Sequence, residues 1–365
     1  EFRRVLFRSV NHIKITYHAK WLNTHDVWDF KFGFQRNHRQ EYSLFHSHYS
    51  NQIPPENNPD LELDFKLNTL NAELSYKKDW LLDHTTVLGV QSQYQTNDIA
   101  GYSYLMPEYD RWNVGAFAKH NWDFATDWKL ELGARYDVAQ VKIAGFFDEV
   151  LFDYLSQRGT PNDQALQNAQ RAVPLSKEFS RGNVAFGVSH QISEDWEATF
   201  TIASNFRFPT AMELSSNGIH HGAFRHEQGN QNLEVEKGWA FDLSQHFHKN
   251  NFKINASAYL YYFTNYIFLK PTGAFSILPH GGQVYKYDQS KAMLTGLEVD
   301  AHYQWNKFGF QAQAAYLYNK QISDSGVDYP LPFSTPINGQ FNMQYRLNDG
   351  SLLQQNEFQV GVKTA

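Results

Sequence analysis

Residues 128–138, WKLELGARYDV, separate into two phases. Trp128, Leu130, Leu132, Ala134, Tyr136 and Val138 fall in one, and Lys129, Glu131, Gly133, Arg135 and Asp137 in the other. Successive side chains of an extended strand point to opposite faces, so this segment is a strand with one apolar and one charged face. The same split recurs at 28–35, where Trp28, Phe30, Phe32 and Phe34 oppose Asp29, Lys31, Gly33 and Gln35. At 235–248, Val235, Trp239, Phe241, Leu243 and Phe247 oppose Glu236, Gly238, Asp242, Ser244, His246 and His248. Segments 196–206, 297–305, 308–318 and 337–347 repeat it. Less regular versions occupy about 10–21, 39–50, 61–76, 84–95, 110–121, 183–192, 252–263 and 352–363. The pattern predicts roughly 15 strands, many longer than the typical 5–6 residues of a globular strand.

The connections between these segments are of two kinds that alternate along the chain. Short ones are predicted at Arg36–Arg39, Lys77–Asp83, Asp123–Asp127, Ser193–Asp195, Lys249–Asn251, Asn306–Lys307 and Asn348–Gly350. Long ones are predicted at 51–60, 96–108, 144–180, 207–233, 265–290 and 320–335, with a short helix expected around Asp163–Arg171 in the longest. A sheet with one plain and one elaborated end is the plan of a transmembrane antiparallel up-and-down β-barrel. Trp122, Trp128, Trp196, Phe252, Trp305 and Phe308 sit beside short connections, where an interfacial aromatic girdle is expected. A soluble secreted β-propeller or β-sandwich, an enzyme among them, is the competing all-β reading. Strand length favours the barrel, because a tilted strand crossing a bilayer needs about 9–11 residues. Lys237, Gln245 and His190 fall on the apolar phase and are expected near strand ends, where the lipid penalty is small.

Composition fits this reading. Of 365 residues, 16 % are aromatic and 19 % charged, the latter below the roughly 25 % of ordinary soluble domains. Mean hydropathy is −0.57, and no apolar run approaches the roughly 18 residues of a spanning helix. The chain has no cysteine, which removes disulfides, thiolate nucleophiles and thiolate metal sites. A net charge of −6 provides no general basic field, so nucleic acid is not an expected partner. Neither a phosphate loop nor a catalytic triad spacing is present, and no enzyme activity is expected.

Residues 204–236, SNFRFPTAMELSSNGIHHGAFRHEQGNQNLEVE, resemble a stretch of TonB-dependent outer-membrane receptors. The matching positions are Asn205, Phe206, Arg207, Pro209, Thr210, Glu213, Leu214, Gly218, His220, Glu227, Gly229, Asn230, Asn232, Leu233 and Glu236. GFQRNHRQEY at 33–42 resembles a short-turn hairpin of these receptors, and TGLEVDAHYQW at 295–305 a strand in which Gly296 and Glu298 recur. The resemblance spans about residues 10–365. It implies a barrel in a Gram-negative outer membrane, an N-terminal plug domain, and an inner-membrane TonB complex that supplies energy for import. Such transporters have about 22 strands, so residues 10–365 are expected to be an incomplete barrel, and Glu1–Ser9 a ragged or non-native segment. The implied cargo is an iron–siderophore or similar chelate. Haem, cobalamin, a metal ion or a glycan are alternatives on the same fold, and a passive porin is another. No resident cofactor is implied.

Among 16 histidines, His220, His221 and His226, with Glu227, form the densest ligand-like cluster in the sequence. They lie in a predicted long loop, where imidazoles suit an iron chelate, haem iron or a divalent metal. Backbone hydrogen bonding is the plainer role for them. Arg207 is a second candidate for ligand contact, but with Glu213 it reads better as architecture, an ion pair fixing the strand end. Tyr102, Tyr104 and Tyr109, and Tyr266, Phe268, Phe275, Tyr285 and Tyr287, are loop aromatics suited either to stacking on a planar chelate or to anchoring.

Overall fold

A computed structural model describes residues 7–81, 83–220, 223–323, 328–331, 334–347 and 356–364. Strands β1 (Phe7–Leu22), β2 (Asp26–Tyr42), β3 (Leu61–Leu81), β4 (His84–Ala100), β5 (Tyr109–Ala125) and β6 (Trp128–Ile143) form an antiparallel meander. A loop insertion follows, with strand β7 (Phe146–Phe147), helix α1 (Glu149–Gln157), helix α2 (Asn162–Ala169) and strand β8 (Gln170–Ala172). The wall resumes at β9 (Leu175–Ser193) and β10 (Trp196–Arg207). A second insertion holds helix α3 (Ala211–Ser215) and the hairpin β11 (Asn217–His220) and β12 (Arg225–Gln228). Strands β13 (Glu236–Lys249), β14 (Phe252–Phe275), β15 (Gln283–Trp305), β16 (Phe308–Ile322), β17 (Asn338–Arg346) and β18 (Glu357–Thr364) complete it. Fourteen strands thus run up and down in sequence order, and β12 joins the sheet by parallel pairing to β15.

The alternation read from sequence becomes continuous rows across the sheet. One row runs Trp122, Leu130, Val188, Phe200, Leu243, Ala258, Leu297 and Tyr316 through eight neighbouring strands. One residue along, the facing row reads Asn121, Glu131, Gly187, Thr201, Asp242, Tyr259 and Gly296. Leu132, Phe200, Leu243, Leu297 and Tyr316 remain 40–50 % exposed, an apolar outer surface of the kind lipid covers. Charges of the other phase pair with each other: Arg135 donates to Asp137 at 2.6 Å, and Lys119 lies 3.4 Å from Glu131. At the short-turn end, Trp128 stacks on His190 with ring centroids 3.9 Å apart, and the Trp196 indole donates to Gln245 at 2.7 Å. His190 and Lys237 lie near strand ends, as expected for polar residues on this face.

Three predicted boundaries are corrected. The strand predicted at about 39–50 ends at Tyr42, so the long connection before β3 is 43–60 rather than 51–60. Arg36–Arg39 is not a turn. It continues β2, with His38 and Arg39 paired to Lys66 and Phe65, and the tight connection is instead Asn23–His25. GFQRNHRQEY is accordingly one strand, and the polar run misled because the backbone ladder with β3 carries the strand through it whatever the side chains. The predicted loop 265–290 shrinks to 276–282, since β14 and β15, of 24 and 23 residues, continue their ladder far past the bilayer requirement. The helix expected near Asp163–Arg171 is α2, and α1 precedes it unpredicted. β1 includes Phe7–Ser9, paired with Tyr42–Gln40. The predicted turn Asn348–Gly350 lies outside the described residues. Among the described residues no helix is long and apolar enough to cross a membrane, which says nothing of strands.

Candidate functional site

The long connections pack into a cap at one end of the wall. The base of the cap is an apolar cluster in which Val141 and Ile143 of β6, Phe179 of β9 and Ile267 of β14 meet Phe208, Leu214 and Leu233. Helix α3 is seated there by a capping box: Thr210 Oγ1 accepts from the Glu213 amide, and Glu213 accepts from the Thr210 amide. A second cluster above it joins Leu151 and Leu155 of α1, Ala165 of α2, Ile219 of β11 and Leu278. Asp148 braces the second cluster, its Oδ1 capping α1 at the Leu151 amide and its Oδ2 accepting from the Tyr49 hydroxyl at 2.6 Å.

The residues singled out from sequence fall into different surroundings. Arg207 donates to both carboxylate oxygens of Glu213 at 2.9 and 2.8 Å and to Glu236 at 3.3 and 3.2 Å, while Glu236 also accepts from the Ile267 amide. Burial opposes its charge, but the hydrogen bonds and charges of these carboxylates outweigh that and raise its pKa. The pair is architecture of the strand end. His226 is 1 % exposed, with Nδ1 hydrogen-bonded to Ser276 Oγ at 2.9 Å and Nε2 to Asn217 Oδ1 at 2.6 Å. Burial, aided by the charge of Arg171, pushes its pKa down to about 3. Both ring nitrogens are thereby engaged. Glu227 is buried and paired with Arg225 at 2.8 Å. His220 is half-buried at the end of β11, with Nδ1 enclosed and lacking a hydrogen-bond partner. His221 lies outside the described residues. Among the described residues, His220, His226 and Glu227 do not converge on one point.

What does converge is a cavity of about 320 Å³ under the cap. Its wall combines Leu151, Ile219 and Leu278 with Tyr49, Tyr104 and Arg171. Arg171 is 5 % exposed, lies over the Tyr104 ring at 5.3 Å, and has a buried Nε without a hydrogen-bond partner; the Tyr104 hydroxyl and Ser103 Oγ are likewise unpartnered. Burial raises the pKa of Tyr104, and burial with Asp148 raises that of Tyr49, so both phenols remain protonated donors. Gly101 at the cavity mouth has φ +107°, and a Cβ there would collide with the Glu62 carbonyl. His48 also lines the cavity, and with His46 and His280 it brings three ring nitrogens within 4.8 Å of one another. Tyr104 was visible in the sequence as a loop aromatic. Arg171 and the three histidines were not, because their loops lie far apart in sequence and only the cap joins them.

A family model described as TonB dependent receptor-like, beta-barrel, matches residues 7–364. Solved structures agree at the level of fold. The copper transporter OprC is 18 % identical with a TM-score of 0.65, over 94 % of this chain and 51 % of that one. The hemophore receptor HasR of Serratia marcescens, solved with its hemophore HasA and heme, is 14 % identical with a TM-score of 0.68, over 93 % and 56 %. The ferric yersiniabactin uptake receptor FyuA from Yersinia pestis is 11 % identical with a TM-score of 0.60, over 94 % and 48 %. No curated protein sequence matches the chain. The chain spans about half the length of these structures. With its apolar outer rows, its alternating short and long connections and a family match from Phe7 to Thr364, the chain belongs to the TonB-dependent receptor family and forms part of its β-barrel.

Proposed function

We propose that this chain is part of a Gram-negative outer-membrane receptor for the energised uptake of an iron–siderophore or related anionic metal chelate. The observation that carries the reading is the cavity, whose buried Arg171, Tyr104 and Ser103 keep unpartnered polar atoms in a mixed wall that also holds Glu108 and Asp148. Leaving such groups unsatisfied costs on the order of 1–3 kcal/mol each, a cost that an anionic, oxygen-rich ligand would relieve. The volume suits a small chelate or one arm of a larger one, being at the low end of the roughly 300–1,000 Å³ of small-molecule sites. The work is binding rather than bond making: the cap captures the ligand, and a plug domain driven by the TonB complex opens the passage. The similar structures are a copper transporter, a receptor solved with hemophore and heme, and a ferric yersiniabactin uptake receptor, which supports a metal-bearing ligand without selecting one.

The test is equilibrium binding and cellular uptake of radiolabelled iron loaded on carboxylate, catecholate and hydroxamate chelators, using the intact protein. At least one chelate should bind and be imported in an energy-dependent manner. Arg171→Leu should weaken its binding by at least about ten-fold, the loss of one charge-assisted hydrogen bond. Absence of energy-dependent import for every chelate would sink this reading.

A further inference from the structure

The geometry of His46, His48 and His280 points to a binding site for a divalent first-row transition-metal ion, zinc(II) or copper(II), at the edge of the cavity. Their ligand atoms lie within 4.8 Å of one another, with ring centroids 5.0 Å apart for His46 and His48, 5.3 Å for His48 and His280, and 6.3 Å for His46 and His280. Nitrogens bound at about 2.0–2.1 Å to a tetrahedral ion stand about 3.3 Å apart, so loading asks for a closure of about 1.5 Å or less, within reach of side-chain rotation. His46 and His280 are exposed, so burial of apolar surface does not account for the convergence of the three rings.

Both loops that deliver the ligands are fixed by hydrogen bonds. On the first, the Phe45 amide donates to Asp60 Oδ1 at 3.0 Å, the His48 amide to Gln52 Oε1 at 2.9 Å, and Gln52 Nε2 to the Tyr102 carbonyl at 2.7 Å. On the second, the Ser276 amide donates to the Gly282 carbonyl at 2.8 Å and the Gly281 amide to the Leu278 carbonyl at 3.1 Å. That turn holds His280 at φ +60° and Gly282 at φ +62°. His46 Nδ1 lies 3.4 Å from the Leu44 carbonyl, the kind of outer contact that leaves Nε2 as the metal-facing nitrogen.

The donor set selects the ion. Three imidazoles without thiolate or carboxylate suit zinc, copper and nickel, with copper(II) favoured by intrinsic affinity, whereas calcium, magnesium and other hard ions prefer oxygen. Three protein ligands also leave a coordination position open, the mark of a site that exchanges what it holds rather than one that locks a fold. The open position gives room for water or for a donor atom of a ligand in the adjoining cavity. That the ion is cargo, delivered alone or in a labile complex, rests on the uptake reading above; its binding does not.

The decisive measurement is copper(II) titration of the intact protein in detergent micelles, followed by electron paramagnetic resonance, with zinc(II) binding by calorimetry. One equivalent of copper should bind with nitrogen splitting from imidazoles, and it should displace zinc bound beforehand. His48→Gln and His280→Gln should each weaken zinc binding by at least about ten-fold, and the triple variant with His46→Gln should abolish it, while His12→Gln, at an exposed position on β1, leaves it unchanged. No stoichiometric copper uptake by the wild-type protein, a spectrum of oxygen donors alone, or undiminished binding in the triple variant would each overturn the site. The wild-type spectrum reads the donor atoms directly, so the outcome does not depend on every variant folding. Metal bound without energised import of any substrate would overturn the receptor reading and leave the site standing, and import without metal binding would do the reverse.

Discussion

His226 shows how one side chain ties the cap together. Its two ring nitrogens bridge Asn217 on β11 to Ser276 in the 276–282 loop, and Asn217 in turn donates to the carbonyls of Gln167 and Gln170. The imidazole must stay neutral there: burial and the nearby Arg171 depress its pKa to about 3, against 6.5 for the ordinary side chain. An unfolded or opened cap therefore binds a proton that the closed cap refuses. The stabilisation from neutral His226 is complete above pH 6.5 and is lost progressively as pH falls toward 3. Between pH 7 and pH 5 the loss should be about 2 kcal/mol. Hydrogen exchange at 217–228, corrected for the intrinsic rate, should accelerate on the order of 30-fold over that interval, and His226→Gln should remove the acceleration. Protection independent of pH in the wild-type protein would refute the assignment. In the sequence His226 stood out as a possible ligand because density of histidine along a chain says nothing about which nitrogens the fold will occupy. Arg207 and Glu213 were legible as architecture because a charge pair at the end of an alternating strand has few other uses.

Among elements, the wall strands were the most legible and the cap the least. Alternation depends only on which face of a strand meets lipid, so β6, β10 and β13 could be read directly from their side chains. It fails where polar and apolar residues mix in both phases: Arg36–Arg39 within β2 and the far ends of β14 and β15 are held by backbone ladders that no side-chain pattern reports. The cap elements are short and obtain their stability from one another. Helix α3 has only five residues, too few to persist alone, yet its capping box was present in the sequence as Thr210 followed by Glu213. Thr210→Ala should cost about 1 kcal/mol locally, seen as faster exchange at 211–216 with the wall strands unaffected. Gly282→Ala should be the more harmful change. Its φ of +62° disfavours a side chain, and an added Cβ would meet the Phe224 carbonyl. Displacement of the 276–282 turn would carry His280 with it, so zinc binding and cap protection should fall together in Gly282→Ala and separate in Thr210→Ala.

For the whole molecule, the two rows through β5 to β15 make opposite demands, and a matched pair of substitutions distinguishes them. Leu243 on β13 is 45 % exposed and sits in the outer row between Phe200 and Ala258. Thr201 on β10 belongs to the facing row, between Gly187 and Asp242. If the outer row faces hydrocarbon, Leu243→Lys places a charge in lipid and should cost about 2–4 kcal/mol near the midplane. Thr201→Lys places the same charge on the inner wall beside Asp242 and should be close to neutral. If the outer row met water instead, both positions would be solvated and the two lysines would cost about the same. Denaturant titration of the intact protein refolded into lipid vesicles reads the difference. A destabilisation of Leu243→Lys that exceeds that of Thr201→Lys by 2 kcal/mol or more, on the order of the lipid penalty, is the expected result. Equal effects would mean that the exposed apolar rows meet something other than a bilayer. The same experiment bears on the cap, since the barrel interior must stay polar for a captured ligand to have a passage, and a lysine tolerated at 201 reports that it is.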